Sequence, residues 1–511
     1  MLKPAVVLWG ILMCFCVSAQ TTPEKYAATI TAQDLKKHLT VIAGAEMEGR
    51  ETATPGQKKA AEYIENYFSA IKLTPANDGC YLQEFPLMED SMVRSTVKID
   101  GVLYTYGKDY LMSARQNKTY MGIAGSVIFG GYGISDSIYN DYEKIDIKNS
   151  FVVISAGEPK SIKRGSWFLG RKVREAYKRG AVGVFVIPAS TFVINSATAR
   201  EQRFTGAYFP HVKMEESPIS NYAFLSRNVF QQLFGTAKAK SLLKKMDSAD
   251  FFTAGDYERV EKNIEFEYAQ ETYVKARSSN VLGFIEGADK KDEYVILTAH
   301  YDHLGKKDNI VYYGADDDGS GTVSVLEMAE AFTKAKSEGN GPRRTIVFMA
   351  VSGEEKGLWG SEYYSDHPVF PLDKTTVNLN TDMVGRIDPK RRYGDSNNYI
   401  YVIGDDKVSS ELKLISETAN NKYTHLELDY KYNEPADPER IFYRSDHYNF
   451  ARKGVPILFY FNGTHADYHR PTDTVDKINF SLMEKRVHLI FYTAWEMANR
   501  DEMLKRDVPL R

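Results

Sequence analysis

Cysteine is almost missing from this chain: 511 residues carry three, Cys14, Cys16 and Cys80. An internal disulfide framework is thereby excluded, and stability has to come from the size of the core and from any bound metal. Structural zinc sites of the Cys₄ or Cys₂His₂ kind are excluded with it. An excess of one charge is missing too. Lys and Arg number 65 against 68 Asp and Glu, a net charge of -3. That balance gives no electrostatic case for nucleic acid or an acidic membrane surface as partner. Past residue 20 no stretch is apolar enough to span a bilayer, and there are no internal repeats or low-complexity tracts. What is left is the composition of a soluble globular protein, 43% hydrophobic and 26% charged. The length is too great for one ordinary core, so two or three domains, or one large domain with an insertion, are expected.

The first residues differ from the rest. Lys3 supplies a short positive start, Pro4 to Val17 form an apolar run shorter than a membrane span, and Val17-Ser18-Ala19 ends it with small residues. This pattern predicts a signal peptide over 1–19, cleaved before Gln20, and a secreted or periplasmic mature protein with no membrane attachment. Two of the three cysteines would leave with it. Cys80 would remain, beside Asp78, Gly79 and Tyr81, none of which could act as its base.

Residues 33–72 read as helical, interrupted by Gly49-Arg50 and Thr54-Pro55-Gly56; Ala60, Ala61, Ile64 and Tyr67 mark one buried face. Short strands are predicted over 82–112. From about 116 to 270 the texture changes: a glycine-rich apolar stretch, a buried strand at Phe151 to Ser155, a basic helix at Arg171 to Arg179 and a strand at Gly180 to Ile187, with no clustered His, Asp or Glu. This segment reads as an inserted, mostly β domain. The remainder, 20–115 and 271–511, reads as one domain. Its later part alternates short β-rich runs (Tyr294 to Thr298, Thr345 to Val351, Thr376 to Leu379, Tyr399 to Ile403, Pro456 to Phe461) with helical stretches at Gly321 to Lys334, Ser409 to Asn420 and Ser481 to Asn499. Such alternation predicts an α/β fold whose mainly parallel central sheet is covered by helices on both faces, with ligands bound beyond the carboxyl ends of the strands.

Five segments carry the chemistry: T-A-H-Y-D with His300 and Asp302, G-A-D-D-D-G-S-G with Asp316 to Asp318, S-G-E-E-K-G with Glu354 and Glu355, N-T-D-M-V-G-R with Asp382, and Y-H-R-P-T-D-T with His469. Three of them follow predicted strands and so converge on one edge of the sheet. Imidazoles mixed with carboxylates suit zinc, or a pair of zincs sharing a carboxylate, and an extra glutamate beside a ligand suits a base that activates water. Asp302, two residues after His300, is positioned to hold the second imidazole nitrogen; His303 is nearby but has no such local partner. The three adjacent aspartates open a helix. One cap explains one of them, and the mutual repulsion of the rest argues for a cation. Asp382 follows a buried run where an unpaired carboxylate is costly. His465 is a rival to His469.

In this order the segments resemble the co-catalytic di-zinc aminopeptidase family of secreted bacterial leucyl aminopeptidases, relatives of glutamate carboxypeptidase II, the transferrin receptor ectodomain and glutaminyl cyclases. Glu48-Gly49-Arg50, with the Thr54-Pro55-Gly56 that follows, resembles the family's N-terminal segment, and 116–270 resembles its inserted protease-associated domain. The resemblance implies two zinc ions per chain, one held by His300 and Asp382, the other by Glu355 and His469, with Asp317 bridging. It implies Glu354 as general base and acid, Asp302 as the partner of His300, and Tyr468 as a stabiliser of the oxyanion. A hydroxide shared by the metals would attack the scissile carbonyl of a peptide substrate. The segment Arg444 to His447 would form pocket wall. Three other functions stay open at this point: a carboxypeptidase, for which Arg386 or Arg444 would supply a cationic pocket; a one-zinc glutaminyl cyclase; and a catalytically inactive binding protein.

Overall fold

The computed structural model describes residues 23–143, 145–160, 162–163, 165–210 and 221–510; the signal peptide expected over 1–19 lies outside the described residues. Two compact units divide the chain. One is formed by the residues up to Phe85 and from Ser278 onward, the other by Pro86–Arg277.

In the first unit the runs between 290 and 461 form a sheet because nearly every residue in them is apolar or β-branched, so both faces of each strand can be buried. The order across it is Glu427–Asp429, Tyr399–Ile403, Ile457–Phe461, Thr375–Thr381, Lys290–His300, Arg344–Val351 and the end of Glu258–Ile285. Its four middle strands run parallel, with His300 beside Val351 in register; antiparallel neighbours occur at Val281–Ile285 and at Tyr399–Ile403. Alternate residues serve opposite layers, as a pleated strand requires. Val295, Leu297 and Ala299 pack with the helices Ala32–Ile42, Pro55–Ala70, Gly321–Ser337 and Phe480–Asn499. Ile296, Val347 and Met349 pack with Tyr364 and Phe450, from the short helices Trp359–Asp366 and His447–Ala451 on the other face. The expected α/β architecture is the one found.

Helix starts follow sequence signals. Thr31 Oγ1 accepts from Asp34 N at 3.1 Å, Asn479 Oδ1 accepts from Leu482 N at 3.2 Å, and Pro55 opens the third helix. In that helix Phe68 joins Ala60, Ala61 and Ile64 in the core. Tyr67, expected in that set, stands partly exposed because its hydroxyl is turned to Glu330.

The second unit starts at Pro86 rather than near 116 and ends at Arg277 rather than 270. Its strands Tyr120–Phe129, Phe151–Ser155, Gly183–Ile187 and Tyr222–Leu225 run parallel in that order, with residues 258–268 antiparallel along Tyr120–Phe129. Helices Leu169–Lys178, Arg227–Phe234 and Thr236–Ser248 cover them: Val173 and Ala176 pack over Val152 and Val184, while Phe230, Phe234 and Leu242 pack with Phe129 and Phe185. The unit holds more strand than helix, as the sequence suggested, but its parallel strands carry helices as well. Leu169–Lys178 is the basic helix expected at Arg171 to Arg179, whereas Arg227–Phe234 was hidden because a Phe-rich segment reads equally as strand. Among the described residues no helix is long and apolar enough to cross a membrane.

Candidate metal centre

Four parallel strands end at the same edge of the first unit, and each delivers a functional side chain there. His300 is the last residue of Lys290–His300; Glu354 and Glu355 follow Arg344–Val351 in a turn; Asp382 follows Thr375–Thr381; His469 lies in the loop after Ile457–Phe461. The aspartate run, Asp316 to Asp318, enters from the irregular helical turn Ala315–Ser320 ahead of Gly321–Ser337.

The three aspartates have separate jobs. Asp316 accepts from Gly385 N (2.7 Å), Ser320 Oγ (3.0 Å) and His465 Nε2 (3.1 Å). Asp318 accepts from Gly321 N (2.8 Å), Met383 N (3.0 Å) and His300 N (3.2 Å). Backbone N–H groups thus relieve the repulsion for which the sequence suggested a cation, and His465 is paired with Asp316 rather than offered to the cluster. Only Asp317 faces the cluster. Its Oδ1 stands 3.3 Å from His300 Nε2, and its Oδ2 stands 3.1 Å from His469 Nε2 and 3.7 Å from His303 Nδ1.

Around this carboxylate lie two groups of donors. On one side His300 Nε2 is 3.7 Å from Asp382 Oδ1 and 3.8 Å from Glu354 Oε2. On the other, Glu355 Oε2 is 3.2 Å from His469 Nε2 and Glu355 Oε1 is 2.8 Å from His303 Nδ1. All of the predicted ligands, His300, Asp317, Glu355, Asp382 and His469, are therefore brought together. Asp302 is buried as expected, with a different partner: His300 Nδ1 meets the Asp302 main-chain carbonyl at 3.0 Å, while the carboxylate is 3.8 Å away. The carboxylate instead accepts from Thr52 Oγ1 (2.7 Å) and Glu354 N (3.2 Å), which ties the strand end to the glutamate turn.

Several supporting residues gave no local signal. Ser445 Oγ donates to Asp382 Oδ2 at 2.7 Å. Arg50, fully buried, donates to the carbonyls of Ile42, Tyr301, Tyr313 and Gly314 at 2.7–2.9 Å and so pins the loops on either side of Asp317. Arg50 lay within the segment singled out by resemblance, but nothing near it in sequence revealed those partners. His303 is the third omission. It is fully buried beside Glu355, and the second histidine of His-Tyr-Asp-His was the signal available.

Charge in the cluster is unbalanced. Burial opposes a charged His300, yet Glu354, Asp382 and Asp317 outweigh it and hold the imidazole well above its ordinary range. Burial likewise opposes a charged His469, and Asp317 and Glu355 still raise it to about 10. Burial and the neighbouring carboxylates Glu355 and Asp382 push Glu354 well above the usual carboxylate range. Asp317 goes the other way: burial is outweighed by His300, His469 and His303, and its carboxyl is held well below.

A direct test of fit to a metal is which polar atoms lack hydrogen-bond partners. His300 Nε2, both ring nitrogens of His303, Asp317 Oδ2 and Glu355 Oε1 are buried with none. Each such atom costs about 1–3 kcal/mol unless something coordinates it. Imidazole nitrogens and carboxylate oxygens within 4.8 Å of one another are the donor set zinc takes, and a dication would neutralise the negative field that raises the imidazoles. The residues fit the group.

A small pocket adjoins the cluster. Asp317, Glu354 and Asp382 line its polar side; Met383, Ile441, Phe459 and Phe461 form an apolar wall; Arg444, Thr464 and Tyr468 complete it. Arg444 Nη2 donates to Tyr468 Oη at 3.2 Å, and the Tyr468 ring stacks on His469 at 3.9 Å between centroids. Arg386 is engaged elsewhere, with Asp467 at 2.9 Å.

The model of peptidase family M28 matches residues 280–494, the stretch that holds His300, His303, Asp317, Glu354, Glu355, Asp382 and His469. A probable leucine aminopeptidase of Arthroderma otae is 29% identical over 230 residues, 44% of this chain and 59% of that protein. Aminopeptidase YwaD of Bacillus subtilis is 23% identical over 464 residues, 89% of this chain and 83% of that protein. Among solved structures, an aminopeptidase from Aneurinibacillus sp. strain AM-1 superposes with a TM-score of 0.51 at 18% identity, covering 96% of this chain and all of that one, a likeness of fold.

Proposed function

Starting from the match of residues 280–494 to the model of peptidase family M28, we propose a zinc-dependent aminopeptidase that hydrolyses N-terminal residues from peptides. The observation that carries the reading is Asp317. One of its oxygens faces His300 and the other faces His469 and His303, and the unpartnered atoms cluster around it. In this reading His300 and Asp382 hold one zinc, Glu355 and His469 a second, and Asp317 both. The aminopeptidase names of the relatives agree with it.

Bound zinc would polarise the scissile carbonyl and acidify a water molecule. The rest falls to the protein. Glu354 lines the pocket, its backbone N–H is fixed by Asp302, and burial holds its carboxyl above the usual carboxylate range; a carboxylate so placed is suited to proton transfer. It accepts the proton of the attacking water and delivers it to the departing amine. Tyr468, whose hydroxyl is held by Arg444 on the pocket wall, donates to the oxygen that gains charge. Met383, Ile441, Phe459 and Phe461 exclude water and receive an apolar side chain of the residue removed. The N-terminal pattern supports export of the mature chain to the periplasm or beyond.

The test is mass-spectrometric cleavage of matched peptides with free, N-acetylated and C-amidated ends, with zinc and with a chelator. Chelator-sensitive, stepwise loss from free N-termini, indifferent to C-amidation, is expected. Loss from free C-termini would instead identify a carboxypeptidase, with Arg444 as the group that receives the terminal carboxylate.

A further inference from the structure

We propose that His303 is a fourth protein ligand of the metal held by Asp317, Glu355 and His469, where the metal held at His300 has fewer protein donors. The inference rests on the two-metal reading above and adds a residue to it.

His303 has no exposed surface, and neither of its ring nitrogens makes a hydrogen bond. Yet Nδ1 stands 2.8 Å from Glu355 Oε1, which has no hydrogen-bond partner either. At that separation a correctly aimed N–H would form a hydrogen bond. Two electron-pair donors brought this close, with Asp317 beside them in one group of possible metal donors, suit ligands of a common cation. The neighbouring separations fall on either side of the value expected of ligands. Zinc bonds of about 2.1 Å set adjacent donors of a tetrahedral group about 3.4 Å apart. Among these four residues the contacts are 2.8 Å (His303 to Glu355), 3.1 Å (His469 to Asp317), 3.2 Å (His469 to Glu355) and 3.7 Å (His303 to Asp317).

The ring also has a built seat. Gly314, at φ 56°, lies flat against it, and a Cβ there would meet His303 Cγ at 2.5 Å and Cδ2 at 2.6 Å. His303 N donates to the Arg50 carbonyl at 3.2 Å, and Arg50 in turn holds Gly314. The His300 side differs. Asp382 spends its second oxygen on Ser445, and Glu354, at 3.8 Å, borders the pocket. Zinc enclosed by four protein donors is retained, whereas three donors leave a position for chemistry.

The full-length protein, zinc-loaded, would be titrated with a competing chelator while bound zinc is counted, for the wild type, His303→Ala, His303→Leu and, as benchmark, His469→Ala. Cobalt-substituted samples would be compared by their visible absorption. We expect two unequal zinc affinities in the wild type. His303→Ala should weaken the tighter one by at least about 100-fold, more than the 10- to 100-fold cost of losing a residue that only orients a ligand, and should change the cobalt spectrum. His303→Leu, which keeps buried volume without a lone pair, should behave alike even if the alanine variant folds poorly. Unchanged affinities and spectra in both variants, with one zinc lost in His469→Ala, would overturn the proposal and leave the two-metal reading standing. A wild type that takes up fewer than two zincs would instead overturn the reading on which it rests.

Discussion

Both units of this protein bury ionisable side chains, and they treat them in opposite ways. In Pro86–Arg277 the buried Asp141 is saturated: its carboxylate accepts from Tyr132 N (3.1 Å), Ile134 N (2.9 Å), Tyr139 Oη (2.6 Å) and Tyr257 Oη (2.8 Å). Lys172 is buried with its ammonium directed at the carbonyls of Ser155, Ala156 and Gly157. In the other unit His300, His303 and Asp317 are buried and Glu355 half-buried, yet a buried atom of each lacks a partner. A buried charge with every lone pair and proton satisfied is a structural device. A buried cluster of imidazole and carboxylate donors without hydrogen-bond partners, at the carboxyl ends of parallel strands, is the donor set of an ion site. Within the aspartate run the same contrast appears between adjacent residues: Asp318 is held by backbone N–H groups, Asp316 by Gly385 N, Ser320 Oγ and His465 Nε2, and Asp317 keeps an oxygen without a partner.

The comparison breaks most severely if Asp317 proves dispensable. Asp317→Ala should abolish zinc retention at both positions, and peptidase activity with it, whereas loss of a ligand on one side should spare the opposite zinc. Metal analysis of the purified variants decides this. Next in size is Glu354→Gln. Because Glu354 is assigned proton transfer rather than ligation, turnover should fall about 10²- to 10⁴-fold with the zinc content unchanged. Near-normal turnover would remove Glu354 from the base role, and a loss of zinc would make it a ligand.

Much of the comparison could be read from sequence on one side only. The parallel strands were legible because burial on both faces leaves unbroken apolar runs such as Thr345 to Val351, and the position of His300, Glu354, Glu355 and Asp382 follows from strand ends. The three-residue strand Glu427–Asp429 has too few apolar residues to show. Partners distant in the chain were invisible from local pattern alone: Thr52 with Asp302, Ser445 with Asp382, Arg50 with Tyr301 and Gly314. The aspartate run pointed to a cation, but its residues alone did not distinguish Asp317 from Asp316 and Asp318, since only the fold decides which carboxylate meets backbone N–H groups.

On the saturated side the expected effects are on stability. Asp141→Ala strands two buried N–H groups and two tyrosine hydroxyls, and should cost about 3–5 kcal/mol locally. Hydrogen exchange would register it as lost protection in Phe151–Ser155, with zinc retention unchanged. A variant that released zinc would show that the two kinds of buried charge are not independent.

The smallest effect concerns Lys172 and carries a sign. Burial lowers its ammonium to about 8 from an ordinary 10.5, against the opposing pull of Glu158 and Asp141. Below pH 8 the lysine is charged whether folded or unfolded, so the penalty of burying the charge is constant. Between pH 8 and pH 10.5 the unfolded chain keeps a proton that the folded chain has released, and stability therefore rises with pH. The rise is at most about 3 kcal/mol. Lys172→Met should remove that increment whatever it does to the baseline. The measurement is the difference between wild type and variant in hydrogen-exchange protection of Phe151–Ser155 across this pH window, which cancels titrations common to both. A difference independent of pH would mean that the ammonium stays charged through the window, its three carbonyl partners fully offsetting burial.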